Sequence, residues 1–113
     1  GVAPTAATYS DGEPNDLSTA TMGGTFGIAF GEDDVLYIAD YTMQTIRTLA
    51  PNADGDYAKG TLKTIAGIPG TKGKVDGSAL TATFNGPASI LVLDKIYVAD
   101  EQNHLIRAIT INK

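Results

Sequence analysis

Four side chains are placed to attempt acid–base chemistry: Asp40 with Arg47, and Asp100 with Arg107. In each pair an acid and a base stand seven residues apart around a stretch that reads as a turn, so a hairpin would bring them together. A catalytic pair is conceivable on that spacing. Yet the arrangement occurs twice, and chemistry needs one site. A recurring Asp and Arg suits a structural duty instead, the carboxylate capping turn amides while the guanidinium crosses between strands. His104 is the single histidine. A zinc or general-base role requires converging partners, and Gln102 and Asn103 supply none at ligand spacing, which favours a turn-stabilising residue. Asn52-Ala53-Asp54-Gly55-Asp56 spaces oxygen donors as a calcium loop would, but the twelfth position, where an EF-hand needs an acid, is Lys63. A polar turn explains it, and Glu32-Asp33-Asp34 likewise. In Gly67-Ile68-Pro69-Gly70-Thr71-Lys72-Gly73-Lys74 the glycines and lysines suggest a phosphate loop, which Gly73-Lys74-Val75 breaks by lacking Ser or Thr after the lysine. The expectation is no catalytic residue, no cofactor and no metal site.

The elements that carry these residues are themselves repeated. Leu36-Tyr37-Ile38-Ala39-Asp40, four residues, then Thr45-Ile46-Arg47-Thr48-Leu49 returns as Ile96-Tyr97-Val98-Ala99-Asp100, four residues, then Leu105-Ile106-Arg107-Ala108-Ile109. Of these fourteen aligned positions five are identical and three exchange one aliphatic residue for another. A period of this size marks a repeat architecture. Tyr37 and Tyr97 are then repeat positions, and equivalent environments are expected for them.

Short runs of Val, Ile, Tyr and Thr bounded by Gly, Asp, Asn and Pro predict strands over 27–30, 35–40, 45–50 and 61–66, then 89–92, 96–100 and 105–111. Thr81-Ala82-Thr83-Phe84-Asn85-Gly86 matches Thr19-Ala20-Thr21-Met22-Gly23-Gly24, and Thr8-Tyr9-Ser10-Asp11-Gly12 corresponds to the connection Lys72 to Gly77. The first hairpin of the second copy is two residues shorter, at Leu93-Asp94-Lys95. Adjacent strand residues such as Ile38 with Ala39 and Val98 with Ala99 point to opposite faces, and neither is polar, so both faces expect cover. Four-stranded meanders that need a neighbour on each face are the units of a β-propeller. The reading is all-β: a propeller fragment of two consecutive antiparallel four-stranded blades, the second lacking its outer strand. Its expected divisions are 1–25 as an amino-terminal segment, 26–66 as blade one, 67–88 as the connection and 89–113 as blade two.

Phe84-Asn85-Gly86-Pro87-Ala88-Ser89-Ile90 followed by Ile96-Tyr97-Val98-Ala99-Asp100-Glu101-Gln102-Asn103-His104-Leu105-Ile106-Arg107 resembles the NHL repeat, with its "F-x-x-P-x-G-I", "Y-V-A-D" and "N-H-x-I-R" pattern. Thr64-Ile65-Ala66-Gly67, Val75-Asp76-Gly77 and Ala82-Thr83-Phe84 resemble the link between such blades. Ser89 stands where the pattern has Gly, and Tyr41-Thr42-Met43-Gln44 lacks the Asn-His pair, so the two turns are expected to differ. The resemblance implies about two blades of a ring that commonly has about six. Closure would take a longer parent polypeptide or roughly three copies of the chain. Gly1 followed by the low-complexity Val2-Ala3-Pro4-Thr5-Ala6-Ala7 then reads as a tag scar or the edge of a longer protein.

A formal charge of -5 with only eight Lys and Arg disfavours nucleic acid, whose phosphates are neutralised by basic side chains. Cysteine is absent, and no apolar run approaches the ~18 residues of a membrane-spanning helix. Membrane insertion is not expected, and the compartment stays open. The function expected is a noncatalytic binding or scaffolding module that presents loops to a protein or peptide, with glycans behind. The opposing expectation is part of a metal-dependent lyase-like or hydrolase-like propeller whose site other blades or chains complete. The partners expected are further copies of the chain or the remaining blades.

Overall fold

The structure is a computed structural model that describes residues 5–31 and 33–110. Residues 1–4 of the amino-terminal stretch read as a tag scar or a ragged edge, Glu32 of the first turn and residues 111–113 lie outside the described residues.

Among the described residues, seven strands form two antiparallel sheets. In blade one, β1 (Thr25–Phe30), β2 (Leu36–Asp40), β3 (Thr45–Ala50) and β4 (Thr61–Ala66) follow one another in order. In blade two, β5 (Pro87–Val92), β6 (Lys95–Asp100) and β7 (Leu105–Thr110) do the same, with no fourth strand among the described residues. This is the propeller fragment expected, the second blade lacking its outer strand. β1 and β5 each begin two residues earlier than the predicted strands. The reason is a bulge present in both: Thr25 and Gly27 face Asp40 and Ala39 with Phe26 left over, as Pro87 and Ser89 face Asp100 and Ala99 with Ala88 left over. Phe30 pairs with Leu36 but Val92 with Ile96, the two-residue shortening read from the sequence.

Two short 3-10 turns, Tyr57–Lys59 and Glu101–Asn103, were not legible as such. The first is set by Asp56, whose side chain accepts from the Ala58 N–H. The second ends on His104 in the left-handed conformation, φ 57°.

The core lies between the sheets. Tyr37, Ala39, Ile46 and Ala66 from blade one meet Phe84, Ile96 and Val98 from the connection and blade two. Full burial of a large apolar side chain contributes about 1.5–3 kcal/mol, so this shared layer is the main bond between the blades. It buries one face of each sheet. The opposite faces are not closed: Phe26, Ile28 and Phe30 on β1, and Leu91 on β5 with Ile106 on β7, are exposed, Ile106 at 73%.

The expected equivalence of Tyr37 and Tyr97 does not hold. They share a register, opposite Ala29 and Thr48 in one blade and Leu91 and Ala108 in the other. But Tyr37 is buried and Tyr97 is half-exposed. The face carrying Tyr37 is covered by blade two, whereas no described residue forms a further sheet over the face carrying Tyr97.

Candidate functional site

The hairpins bring each predicted acid onto its predicted base. Arg47 on β3, wholly buried, donates from Nη1 to Asp40 Oδ2 at 3.4 Å and to the Thr21 carbonyl; its Nη2 donates to the Ser10 carbonyl at 2.9 Å and to Asp11 Oδ1 at 2.8 Å. Arg107 on β7 repeats the pattern. Its Nη1 donates to Asp100 Oδ2 and to the Thr83 carbonyl, both at 2.9 Å, and its Nη2 to the Val75 carbonyl at 3.0 Å and Asp76 Oδ1 at 2.9 Å. An aromatic ring lies under each guanidinium, Tyr9 at 4.4 Å and Phe84 at 4.9 Å. Among the described residues only Arg47 Nε is a buried side-chain polar atom without a partner.

The acids are equally occupied. Asp40 also accepts from the Gly23 N–H at 3.0 Å and the Met43 N–H at 3.2 Å, and Asp100 from the Asn85 N–H and the Asn103 side-chain amide, both at 2.7 Å. Each carboxylate, fully buried, thereby ties the entry of the inner strand, the β2–β3 or β6–β7 turn, and the guanidinium into one knot. A guanidinium keeps its proton and a carboxylate with three donors has little capacity left, so this geometry clamps rather than transfers.

Sequence reasoning missed the second carboxylate of each knot, Asp11 and Asp76. The signal was present, since Ser10-Asp11-Gly12 and Val75-Asp76-Gly77 occupy corresponding places in the connections. The two acids differ in their outer partners. Asp11, 33% exposed, also accepts from the Thr64 N–H at 2.9 Å and the Thr64 hydroxyl at 2.8 Å, while Asp76, 90% exposed, receives hydrogen bonds among the described residues from Arg107 alone. Tyr9 joins the first knot through Thr45 and Thr64, and burial pushes its phenol above the ordinary tyrosine value. Tyr37 is raised too, chiefly by burial and then by the Asp33 charge.

A second site lies at the rim, where turns of both blades meet. Gln44 and His104, at equivalent positions, both adopt the left-handed conformation, φ 63° and 57°. Gln44 reaches across, its Oε1 accepting from the Gly86 N–H at 2.6 Å; the imidazole of His104 is exposed, and its backbone N–H closes the turn onto the Glu101 carbonyl. Backbone geometry, not the ring, is what this position supplies. Gln102 Nε2 donates to Tyr41 Oη at 3.1 Å, and Tyr41 stacks on the exposed ring of Phe26 with centroids 4.4 Å apart. As expected from the missing Asn-His pair, the turns differ: Asp40 takes a backbone amide where Asp100 takes the Asn103 side chain.

The remaining motifs turn inward on themselves. Asn52 Oδ1 accepts from the N–H groups of Asp54 and Asp56, which uses the oxygen a cation would need. The amides of Gly67, Gly70 and Gly73 donate to the carbonyls of Ala79, Met43 and Phe84. No group of three or more His, Cys, Asp or Glu poised to hold a metal occurs among the described residues.

No family model matches the chain, and no curated protein does. Solved structures are similar to it. One is an auxiliary nutrient binding protein from Bacteroides ovatus, 30% identical over 83% of this chain and 24% of that chain, with a TM-score of 0.65. Another is an auxiliary nutrient binding protein from Bacteroides thetaiotaomicron, 26% identical over 80% of this chain and 23% of that one, TM-score 0.65. A protein of unknown function from the same species is 28% identical over 79% of this chain and 22% of that one, TM-score 0.68. The chain therefore spans less than a quarter of the length of each of these structures.

Proposed function

We propose that the chain is part of a noncatalytic binding module of the NHL-repeat propeller type, its ring completed by further blades or further copies. The two Asp–Arg knots are structural, and the ligand-facing surface is the rim. The observation that carries this reading is the contrast between them. The acids and bases that could do chemistry are buried and bonded to one another, whereas Tyr41, Glu101 and Gln102 meet at an accessible seam held by two blades. The auxiliary nutrient binding proteins among the similar structures support a binding role. An aromatic ring beside amide and carboxylate groups suits peptide ligands first, since such rims combine apolar contact with hydrogen bonding. An enzymatic alternative would need a site that other blades complete.

The test is to probe arrays of immobilised peptides and of glycans with the chain and its Tyr41→Ala and Gln102→Ala variants. Binding to peptides that both variants weaken, at an unchanged thermal midpoint, is the expected result. Binding indifferent to both substitutions would remove the rim from consideration.

A further inference from the structure

Asn85 and Gly86 lie where the connection enters β5, and each of their main-chain polar groups is held. The Asn85 N–H donates to Asp100 Oδ1 at 2.7 Å, and its carbonyl accepts from the Gln102 N–H at 2.9 Å. The Gly86 carbonyl accepts from the Glu101 N–H at 3.0 Å, and its N–H donates to Gln44 Oε1 at 2.6 Å. Of these four partners Gln44 is the one that belongs to blade one.

The glycine is obligatory at this place. Gly86 has φ 72°, and a Cβ there would lie 2.8 Å from Tyr41 Cε2 and 3.0 Å from Gln102 Cγ. The asparagine is not. The first copy of the repeat has Gly23-Gly24, with the Gly23 N–H on Asp40 and the Gly24 N–H on the Thr42 hydroxyl of its own turn, so the main-chain pattern forms without a carboxamide. The side-chain amide of Asn85 bonds to no described residue, and Asn85-Gly86 is the one Asn-Gly step in the chain. Asparagine is thermolabile, most of all before glycine, where no side chain keeps the carboxamide from the next nitrogen.

We propose that Asn85-Gly86 is a self-modification site, a succinimide-forming step that Gln44 holds unreactive while the two blades are docked. In the reaction the Gly86 nitrogen gives its proton to solvent base and bonds to Asn85 Cγ. The bond from Cγ to the side-chain nitrogen breaks, and that nitrogen takes up a proton and leaves as ammonia. Water then opens the ring: cleavage at Cγ leaves aspartate, and cleavage at the main-chain carbonyl leaves isoaspartate, with one more carbon in the backbone. Gln44 opposes the first step because the Gly86 N–H is buried beneath it and bonded to it, and a protected amide does not yield its proton to solvent. An isoaspartate cannot keep its own N–H on Asp100 and the Gly86 N–H on Gln44 together, since the spacing between the two amides has grown by a carbon. The modification therefore releases the Gln44 link between the blades. It concerns the main chain beneath the rim and holds whichever ligand the rim takes.

The test incubates the 113-residue chain at mildly alkaline pH and follows the exchange of ammonia for water at Asn85 by peptide mass spectrometry, beside a synthetic peptide of residues 81–90. The folded chain is expected to react far more slowly than the peptide. Gln44→Asn keeps a residue suited to the left-handed turn but is one methylene short of Gly86, and should speed the reaction about tenfold, as loss of a buried hydrogen bond to the reacting group does. The parent chain in urea, still folded and brought to the same stability as that variant, should react more slowly than the variant, which separates the Gln44 bond from general loosening. In the isoaspartyl product the Gly86 amide should lose its protection from hydrogen exchange. Reaction in the folded parent as fast as in the peptide, no acceleration in Gln44→Asn, equal rates in that variant and in urea, or a product that keeps Gly86 protected would each overturn the proposal.

Discussion

At the scale of single residues, Arg47 and Arg107 share a chemistry but not a setting. Each guanidinium faces two carboxylates and two carbonyls, yet Asp11 on the Arg47 side is enclosed by Thr64 while Asp76 stands in solvent. Removing one member of a buried pair leaves the other charged and unsolvated, which costs about 3–5 kcal/mol, whereas exposed pairs contribute about 0–1 kcal/mol. Arg47→Ala is therefore expected to lower the unfolding free energy obtained from urea titration by an amount in the larger range, and Asp76→Ala to leave it nearly unchanged. Equal shifts for the two would contradict the assignment of Arg47 as the clamp of blade one. Sequence made the acid and base of each hairpin legible because seven residues around a turn return the chain to its own neighbourhood. Asp11 and Asp76 were not, because their approach to the arginines is made across a connection of more than thirty residues.

At the scale of elements, the inner strands β1 and β5 explain a substitution in the repeat. Gly27 and Ser89 occupy the same bulged position, but a Cβ on Gly27 would lie 2.2 Å from the Ala88 carbonyl oxygen and 2.9 Å from Ser89 Cα. Backbone atoms cannot yield as a flexible side chain would. Ser89, on the face that no described sheet covers, is exposed and meets no such limit. Gly27→Ala should cost about 1–3 kcal/mol, as overpacked interiors do, and Ser89→Ala close to nothing. Thermal unfolding of both variants checks this, and a Gly27→Ala chain as stable as its parent would mean that β1 and β5 do not press together. Strand positions and hairpin lengths were readable because β-branched runs and turn residues act locally. The bulges escaped, since each depends on a partner strand met only after folding.

At the scale of the whole molecule, one interface is satisfied and its two complements stay open. The face of blade one that carries Ala29, Tyr37 and Ile46 is packed on blade two; its counterpart in blade two, with Leu91, Tyr97 and Ile106, faces solvent in part or in full. On the other flank Phe26, Ile28 and Phe30 are exposed, whereas their counterparts in blade two, Ala88, Ile90 and Val92, are buried or partly buried. Head-to-tail contact between such unlike faces is a heterologous interface, which closes into a ring when the rotation permits. Sedimentation velocity of this chain should show mass rising with concentration. Ile28→Asp or Ile106→Asp should suppress that rise and leave the circular dichroism unchanged. A monomer at every concentration would show that neither face recruits a second copy.

The amino-acid sequence alone determined that the chain is all-β, that it says the same thing twice, where its strands and hairpins lie, and which acid meets which base in each hairpin. All of these follow from interactions among residues close along the chain or from the pattern of a repeat. Tertiary structure alone decided that Tyr37 is buried and Tyr97 is not, that Asp11 is enclosed and Asp76 open, and that Gln44 crosses to a neighbour while His104 does not. Two copies of one local pattern diverge there because burial belongs to a residue and whatever packs against it, and the two blades have different neighbours.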